Sequence, residues 1–295
     1  MDKTKKKSFN TDKLYKIFIY VALFTLAISI IVPVGWVFLA SIKENKEFYG
    51  NPWTMPAGFY FENFVKAFDK ANMGEYFMNS VITTALSLVI LLVVSLPASY
   101  VLARFKFVGK KFLDTLFMAG LFVNVNYIVV PIFLMLLDWD KALFNLIGTR
   151  FFLNNVVVLA IIYAATAIPF TVYLLTGYFK TLPKAYEEAA LIDGCGYFKT
   201  MIKVMIPMAK PSIITVILFN FLAFWNEYII ALTLMPSGSK TLPVGLMNLM
   251  QAVRGKADYG TLYAGLVIVM LPTLILYIMV QKKLTQGMTL GGLKD

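Results

Sequence analysis

Residues 186–211 read YEEAALIDGCGYFKTMIKVMIPMAKP, a short charged stretch punctuated by glycine and proline. The stretch lies between two long apolar segments, 155–178 and 212–234. Each of these segments is long enough to cross about 30 Å of hydrocarbon as a helix. A charged connection between two such segments must lie on one side of a membrane. The number of spans before and after this connection therefore determines the membrane topology of the chain.

Composition places the whole chain in a lipid bilayer. Hydrophobic residues make up 59% of the 295 residues and charged residues 15%, whereas soluble domains average roughly 45–50% and about 25%. Mean hydropathy is +0.74. In a membrane protein, the net charge of +11 reflects loops rich in Lys and Arg, so no nucleic-acid partner is expected.

Six apolar stretches are predicted to span the membrane, near 17–40, 78–102, 115–137, 155–178, 212–234 and 261–280. Only the fifth contains a charged residue, Glu227. The sequence therefore predicts an all-α integral membrane protein with six transmembrane helices. Its three parts are an N-terminal segment (1–16), a six-span domain (17–280) and a C-terminal tail (281–295). The first span is too long for a cleavable signal peptide.

The distribution of Lys and Arg predicts the orientation of the spans. Six of them lie in the N-terminal segment, four between the second and third spans, five in 179–211 and three in the tail. The remaining nine of the 27 lie on the other side. Because the side rich in Lys and Arg is normally cytoplasmic, both termini and the 179–211 loop are expected inside the cell.

The 179–211 loop is predicted to contain two short helices. Pro183 suits a first helical turn, and Glu187 and Glu188 follow where the helix dipole favours negative charge. Gly194 suits a left-handed helix end. A second helix is expected to carry four apolar side chains on one side, opposite its lysines: Phe198, Met201, Ile202 and Met205. Taken alone, this amphipathic pattern also fits a hairpin lying on lipid headgroups.

The residue inventory argues against enzymatic chemistry. The one cysteine, Cys195, and the lack of histidine exclude an internal disulfide, a CxxC motif, His-based triads and HExxH zinc sites. No G-x-x-x-x-G-K-[ST] phosphate loop occurs, so ATP hydrolysis is expected in separate subunits. The sequence predicts no enzyme activity, no cofactor and no metal site.

The 186–211 stretch resembles the EAA loop of ABC importer permeases. The resemblance rests on Glu188-Ala189-Ala190, Gly194 and Val204-x-Ile206-Pro207. In that family the loop is the cytoplasmic knob that docks into an ATPase subunit. The resemblance implies a role in ATPase coupling for eight residues: Glu187, Glu188, Ala189, Ala190, Asp193, Gly194, Val204 and Pro207.

Further strings resemble carbohydrate-type permeases in particular. Ala98-Ser99-Tyr100 and Ala103-Arg104-Phe105 resemble their second span and following loop, and Trp225-Asn226-Glu227-Tyr228 resembles their fifth span. The ending is similar to the tail of the second permease subunit of maltose-type importers, which reaches into the ATPase interface. The tail residues implied in that contact are Gln286, Gly287, Gly291 and Gly292. Such a Gly-rich tail is expected to be flexible until it docks.

The resemblance implies a permease subunit of an ATP-driven importer for a sugar, with an oligosaccharide favoured. It also implies a second, unlike permease, two cytoplasmic ATPase subunits and an extracytoplasmic solute-binding protein, assembled with lipid in the cytoplasmic membrane. A permease for a peptide or a polyol stays open, because many importers share the docking loop. An ion-coupled secondary transporter is disfavoured, since the spans contain one acid and no apparent repeat.

A sugar path is expected to be lined by amide, hydroxyl and aromatic groups. The candidates in the third and fifth spans are Asn124, Asn126, Tyr127, Asn220, Trp225 and Asn226. Each has a second interpretation, because buried polar groups also tie membrane helices together. Glu227 differs, since an ionised carboxylate at this depth is costly unless it faces a bundle interior or water. Gating, substrate contact and pairing with the partner permease are its candidate roles.

Overall fold

The computed structural model describes residues 11–49, 51–70, 72–237, 240–256 and 258–292, and these residues form helices and no strands. Short 3-10 and π-helical turns cover Asn45–Phe48, Lys66–Lys70 and Met201–Met205. The α-helices of this part are α1 Thr11–Ser41, α2 Glu62–Val65, α3 Met73–Arg104, α4 Lys110–Gly120, α5 Val125–Ile147, α6 Val156–Thr181, α7 Ala185–Ile192, α8 Tyr197–Thr200, α9 Ile206–Met208, α10 Lys210–Trp225, α11 Ile229–Leu234, α12 Leu242–Lys256 and α13 Tyr259–Gly292.

The most extensive helix pairing is between α3 and α6. The buried residues of α3 include a run of hydroxyl side chains: Ser80, Thr83, Thr84, Ser87, Ser95 and Ser99. α6 buries Ala160, Ala164 and Thr176. Small side chains let membrane helices approach closely, and Thr176 Oγ1 donates to the Ser99 carbonyl at 3.4 Å. This pair forms the frame on which the other helices pack.

Four helices are long and apolar enough to cross a membrane by themselves: α1, α3, α6 and the part of α13 up to Gln281. They coincide with the predicted first, second, fourth and sixth spans. Two bent pairs also qualify, α4 with α5 at 101° and the segment 197–208 with α10 at 74°. The described residues thus contain four candidate spans, or six if each bent pair crosses the membrane once.

The predicted third span, near 115–137, is interrupted in the structure, because α4 ends at Gly120 and α5 begins at Val125. Gly120 lies against α6, where an added Cβ would come within 2.8 Å of Pro169 Cγ. Asn124 then caps α5, since its side-chain oxygen accepts the Asn126 N–H at 3.0 Å. A helix cap inside an apolar stretch starts a new helix but hardly lowers the mean hydropathy of the stretch. The break therefore cannot be predicted from hydropathy.

The predicted fifth span, near 212–234, is interrupted as well. α10 ends at Trp225 and α11 begins at Ile229. The Glu227 carboxylate accepts the N–H groups of Ile230 at 2.7 Å and Ala231 at 3.1 Å, which are among the first free N–H groups of α11. A side chain that satisfies these groups lets a second helix begin there.

A buried lysine organises the segment that follows α1. Lys43 Nζ donates to the Pro52 carbonyl at 2.7 Å and lies 4.5 Å from the centroid of the Trp36 ring. Asn63 donates to the carbonyls of Ser41 at 2.9 Å and Lys43 at 2.8 Å. Burial lowers the pKa of the Lys43 amine, because a low-dielectric environment penalises its charged form. The connection between α1 and α3 is thus tied down by specific contacts.

The first helix, α1, lies at the edge of the fold. It packs on α13, and no residue in its most apolar stretch is buried by this chain. Large apolar side chains such as Phe18, Tyr20 and Phe24 are about 70% exposed. In a membrane, such a helix must be covered by lipid or by another subunit.

The last helix, α13, continues beyond the end of the predicted sixth span at 280. Its backbone is helical to Gly292, so most of the segment expected to be flexible extends this helix. The final residues, 293–295, and residues 1–10 of the predicted N-terminal segment lie outside the described residues.

Candidate functional site

The connection between α6 and α10 folds as a helical hairpin, residues 185–208, with α7 as its first arm and α8, the π-helical turn and α9 as its second. The first arm begins at Ala185, so Pro183 precedes the helix instead of occupying its first turn. Glu187 and Glu188 lie in the first turn, as predicted. A bend of 74° separates 197–208 from α10, and Pro207 and Pro211, which lack the backbone N–H of other residues, lie on either side of it.

Gly194 ends the first arm in the left-handed conformation that the sequence predicts, with a φ of +75°. The Gly194 N–H donates to the Leu191 carbonyl at 3.0 Å, and the Cys195 N–H donates to the Ala190 carbonyl at 2.9 Å. This pair of bonds satisfies the last free carbonyls of α7 and turns the chain towards α8. The turn therefore depends on a backbone conformation that glycine adopts most easily.

The inner side of the hairpin packs against α3, α6 and α10. Met201 and Met205 are buried in one apolar cluster with Tyr100, Leu175, Phe179, Ala209 and Val216. Val204 packs against the same cluster, and Ala190 is buried. The hairpin is thus anchored to the ends of the spans.

The hairpin exposes large apolar side chains, and the five most exposed form what we call the hairpin face: Leu191, Ile192, Tyr197, Phe198 and Ile202. Ile192 is 87% exposed and Phe198 is 72% exposed. An exposed group of large apolar side chains within a charged connection indicates a surface that another molecule covers.

The predicted apolar side of the second helix is divided in the structure. Met201 and Met205 are buried, whereas Phe198 and Ile202 belong to the hairpin face. The prediction assumed α-helical spacing throughout. The π-helical turn Met201–Met205 has more residues per turn, so the side chains on either end of it no longer share one side.

The eight residues implied in ATPase coupling do not all face outwards. Five are exposed: Glu188, Ala189, Asp193, Gly194 and Pro207. Three are partly or fully buried: Glu187, Ala190 and Val204. Glu187 is turned inwards, with its Oε1 3.5 Å from Arg104 Nε at the end of α3. The two adjacent acids thus have different environments.

The break between α4 and α5 carries three of the predicted path residues, Asn124, Asn126 and Tyr127. All three are exposed, and Tyr127 is 81% exposed. Two amides and a phenol are thereby presented in the middle of an otherwise apolar chain segment. Within this chain, the Asn124 side chain also caps α5.

Two other predicted path residues have partners inside the fold. Asn220 donates to Thr171 Oγ1 of α6 at 3.1 Å, and Trp225 Nε1 donates to the Val269 carbonyl of α13 at 3.1 Å. Both side chains are buried. These contacts favour the alternative interpretation, in which polar groups tie membrane helices together. Asn226, in contrast, is exposed at the break itself.

Glu227 is held between α6 and α11. Besides the two N–H groups of α11, its carboxylate accepts the hydroxyl of Tyr163 at 2.6 Å. Tyr163 is buried and stacks on Phe224, with 5.6 Å between the ring centroids. Three donors stabilise the charge where the spans supply no basic residue. Within the chain, Glu227 is therefore a helix cap and a cross-link between two helices.

The two breaks border a single apolar cluster. Val125 and Val129 of α5 pack in it with Phe224 of α10 and Ile230 of α11. α5 and α11 are in direct contact. The exposed polar groups at the two breaks therefore flank the same part of the helix bundle.

A cavity of about 570 Å³ lies elsewhere, between α3, α4, α6 and α10. Its lining is mainly apolar but includes Asp114, Tyr173, Lys180, Ser212 and Thr215. None of the predicted path residues lines this cavity. The breaks and the cavity are separate features.

The sequence did not predict the contacts of two residues at the candidate sites, Tyr163 with Glu227 and Arg104 with Glu187. Tyr163 is one of several tyrosines in apolar stretches, and nothing in its neighbours indicates a partner. Arg104 does carry a signal, because it is the first charged residue after the second span. A charge count assigns it to the cytoplasmic side without indicating that it is buried against Glu187.

The tail residues implied in ATPase contact lie in the last turns of α13. Their backbone is helical, and their side chains lie outside the described part: Gln286, Gly287, Gly291 and Gly292.

This chain is similar to known proteins in both its sequence and its fold. The family described as "Binding-protein-dependent transport system inner membrane component" matches residues 95–289. The diacetylchitobiose uptake system permease protein NgcG of Streptomyces coelicolor is 33% identical over 283 residues, which cover 96% of this chain and 90% of NgcG. The trehalose/maltose transport system permease protein MalG of Thermococcus litoralis is 29% identical over 286 residues, which cover 96% and 98% of the two chains.

The fold also matches a solved structure. A chain in the crystal structure of a bacterial ABC transporter involved in the import of the acidic polysaccharide alginate superposes with a TM-score of 0.77. The match covers 94% of this chain and 99% of the other, at 22% sequence identity. At that identity, the likeness concerns the helical fold.

Proposed function

Because the chain belongs to the family of binding-protein-dependent transport system inner membrane components, we propose that it is the permease subunit of an ATP-driven importer for a sugar. The proposed substrate class is an oligosaccharide. Support comes from the similar permeases, whose uptake systems are named for diacetylchitobiose and for trehalose and maltose. The assembled importer, and not this chain alone, takes up the sugar.

The hairpin face is the observation that carries the energy-coupling part of this proposal. Its five apolar side chains are exposed on a hairpin whose inner side is fixed to α3 and α6. A helix that lies on anionic headgroups needs a uniformly basic polar face. The hairpin instead combines exposed Lys199 and Lys203 on its second arm with the exposed acids Glu188 and Asp193 beside Ile192. An ATPase subunit is therefore the proposed partner of this face, and the exposed coupling residues surround the contact.

The remaining proposed partners are those that the family of this chain implies. We assign the exposed apolar side of α1 to a second, unlike permease and to membrane lipid. A pair of permeases offers docking hairpins for two cytoplasmic ATPase subunits. A solute-binding protein on the opposite side would deliver the sugar. In this assembly the chain itself hydrolyses no ATP.

The proposed path runs past the two helix breaks. Asn124, Asn126 and Tyr127 at the first break and Asn226 at the second are exposed, and they present amide and aromatic groups that suit a sugar. Backbone that leaves the helical conformation inside a membrane occurs where it lines a cavity or is buried in protein. We leave Asn220 and Trp225 out of the path because their polar atoms bond to α6 and α13.

Uptake measurements test the substrate assignment. We expect deletion of this gene to abolish high-affinity uptake of labelled oligosaccharide and to leave amino-acid uptake unchanged, with full restoration by the wild-type gene. Purified importer should hydrolyse ATP faster when the sugar-loaded binding protein is added. A loss confined to peptide or polyol uptake would overturn the sugar assignment while keeping the importer.

Labelling tests the proposed orientation, in which both termini and the 185–208 hairpin are cytoplasmic. Single cysteines at Lys110 and Lys199 should react only with reagents that reach the inside of the cell, and those at Lys66 and Lys141 only from outside. The matched background is a chain in which Cys195 is replaced by serine. Labelling at Lys141 and Lys199 from the same side would refute the arrangement.

A further inference from the structure

Arg104, the last residue of α3, is buried against the hairpin. Its side chain is 8% exposed, and its Nη2 donates to the Leu182 carbonyl at 2.7 Å, just after α6. Its Nε lies 3.5 Å from Oε1 of Glu187, whose side chain is 18% exposed. One guanidinium group thus joins the ends of α3 and α6 to the first turn of α7.

Glu187 has a second partner on α3. Tyr100 lies four residues before Arg104 on the same helix face, and its hydroxyl is close enough to the Glu187 carboxylate to interact with it electrostatically. The buried Tyr100 ring packs edge-on against Phe179 of α6, with 5.8 Å between the centroids. Two groups of α3, themselves packed against α6, therefore hold one carboxylate of α7.

The second arm of the hairpin is also tied to the end of α3. Phe105, which directly follows Arg104, packs edge-on against Tyr197 of α8 at 5.6 Å and against Tyr100 at 5.7 Å. The arm at α7 is held by an ion pair, whereas the arm at α8 is held by ring contact. Of these two attachments, only the one at α7 would leave a charge without a partner if it were broken.

Breaking the Arg104–Glu187 pair would be costly because little water reaches it. Arg104 Nε is buried and makes no hydrogen bond, and the Glu187 carboxylate 3.5 Å away is its ion-pair partner, so neutralising Glu187 would leave a buried positive charge uncompensated there. Buried pairs respond strongly to the loss of one partner, in contrast to exposed pairs. An exposed pair is available for comparison, because Asp138 and Lys141 lie 3.0 Å apart with side chains that are 72% and 61% exposed.

We propose that the Arg104–Glu187 pair fastens the hairpin to α3, so that a force applied at the hairpin face moves α3 and α6 with it. Both are positioning residues, since neither belongs to the hairpin face. This inference rests on the proposed function, because it requires an ATPase subunit to bind that face. It assigns Glu187 an internal role and leaves Glu188 on the exposed side of the same turn.

Hydrogen exchange on the purified full-length permease in lipid nanodiscs tests the fastening without any partner. In Glu187→Gln, the amides of 186–195 should exchange about tenfold faster than in the wild type, because the hairpin opens more often. Glu188→Gln, one residue along, should leave the exchange rates unchanged. The charge swap Arg104→Glu with Glu187→Arg should restore most of the protection. Arg104→Lys is the milder variant if Glu187→Gln does not fold.

The complete importer tests the positioning role. Glu187→Gln should retain ATPase subunits at wild-type stoichiometry, yet the stimulation of hydrolysis by loaded binding protein should fall by about tenfold. Asp138→Asn, which removes the exposed pair, should keep full stimulation. A contact that only stabilises the fold would lower the amount of complex and leave the stimulation ratio of the surviving complex unchanged.

Each outcome decides a separate point. Unchanged exchange in Glu187→Gln would overturn the fastening, and faster exchange with full stimulation would overturn the positioning role. A wild-type chain that binds no ATPase subunit would refute the proposed function and the coupling role with it. The exchange rates would still decide whether the pair holds the hairpin.

Discussion

The 185–208 hairpin connects two spans, the two helix breaks interrupt spans, and the two kinds of region expose opposite chemistry. The hairpin presents large apolar side chains such as Ile192 and Phe198 from a charged connection, whereas the breaks present the amides of Asn126 and Asn226 from apolar segments. Apolar groups exposed outside the bilayer favour a protein partner. Polar groups exposed within it favour water or a polar solute. The comparison thus distinguishes the hairpin, a surface suited to a protein partner, from the breaks, a surface suited to a polar solute.

The two regions are nevertheless built with the same device, an acid turned inwards beside a tyrosine. Glu187 meets Tyr100 and Arg104 at the hairpin, and Glu227 meets Tyr163 and two backbone N–H groups at the second break. In each region, one carboxylate joins a connecting element to a long span. Fixed geometry is useful in both, because docking and passage each require a surface of defined shape.

The largest effect is expected from Glu227→Ala at the second break. The change leaves the Tyr163 hydroxyl and two N–H groups of α11 without their acceptor, and hydrogen bonds to a charged group each contribute about 1.5–3 kcal/mol. The free energy of unfolding in detergent should therefore fall by at least about 3 kcal/mol.

Tyr163→Phe is the matched control for this variant, because it removes a single donor. Its loss of stability should be less than half as large. If Glu227→Ala were as stable as the wild type, the carboxylate would not be what begins α11, and a direct role in transport would gain support.

Gly194→Val should have the next largest effect, and it should act only on the hairpin. A Cβ at this position meets open space, so the penalty comes from the φ of +75° and amounts to about 2 kcal/mol for a β-branched residue. Co-purification of the ATPase should drop by about thirtyfold, while membrane insertion stays normal.

Gly196→Ala provides the control, since Gly196 has a φ of −69° and equally open surroundings. This variant should retain its ATPase and its transport. Normal co-purification in Gly194→Val would mean that the left-handed turn is dispensable for docking.

Asn126→Ala tests the proposed path and should have a moderate effect. Loss of one hydrogen bond to a sugar should raise the KM of uptake by about tenfold, with ATPase binding unchanged. The comparison variant is Asn220→Ala, which loses a contact to Thr171 and should lower stability with little change in KM. The reverse pattern, with KM altered only in Asn220→Ala, would place the path inside the bundle instead of at the breaks.

Removal of Gln286–Asp295 should have the smallest effect. The truncated chain should insert and pair with its partners, while ATP hydrolysis stimulated by loaded binding protein falls by about fivefold. Because the deletion begins at Gln286, it keeps α13 to Gln281 and leaves the sixth span intact. Unchanged stimulation in a well-expressed truncation would show that this segment only ends the chain.

The four uninterrupted spans and the glycine end of α7 could be predicted from sequence because they depend on local properties. An apolar run of sufficient length must form a helix in a bilayer, where each backbone N–H and C=O needs a partner within the same segment. The same holds for Gly194, whose conformation is set by the residue itself. The charge count likewise predicts an orientation from the loops alone.

The packing at the breaks and the pairing of Glu187 depend on contacts between residues distant in sequence. Gly120 meets Pro169, Tyr163 meets Glu227, and Arg104 meets Glu187, at separations of 49, 64 and 83 residues that no local pattern encodes. An apolar stretch with a cap inside it has almost the same hydropathy as one without.

The sequence by itself thus determined that the chain is a helical membrane protein with a charged hairpin ended by glycine, since those features follow from hydropathy, charge and backbone preference. Only the tertiary structure decided which polar residues face outwards. Packing selects for each side chain between a partner in the fold and exposure at the surface, and that choice depends on which helices become neighbours.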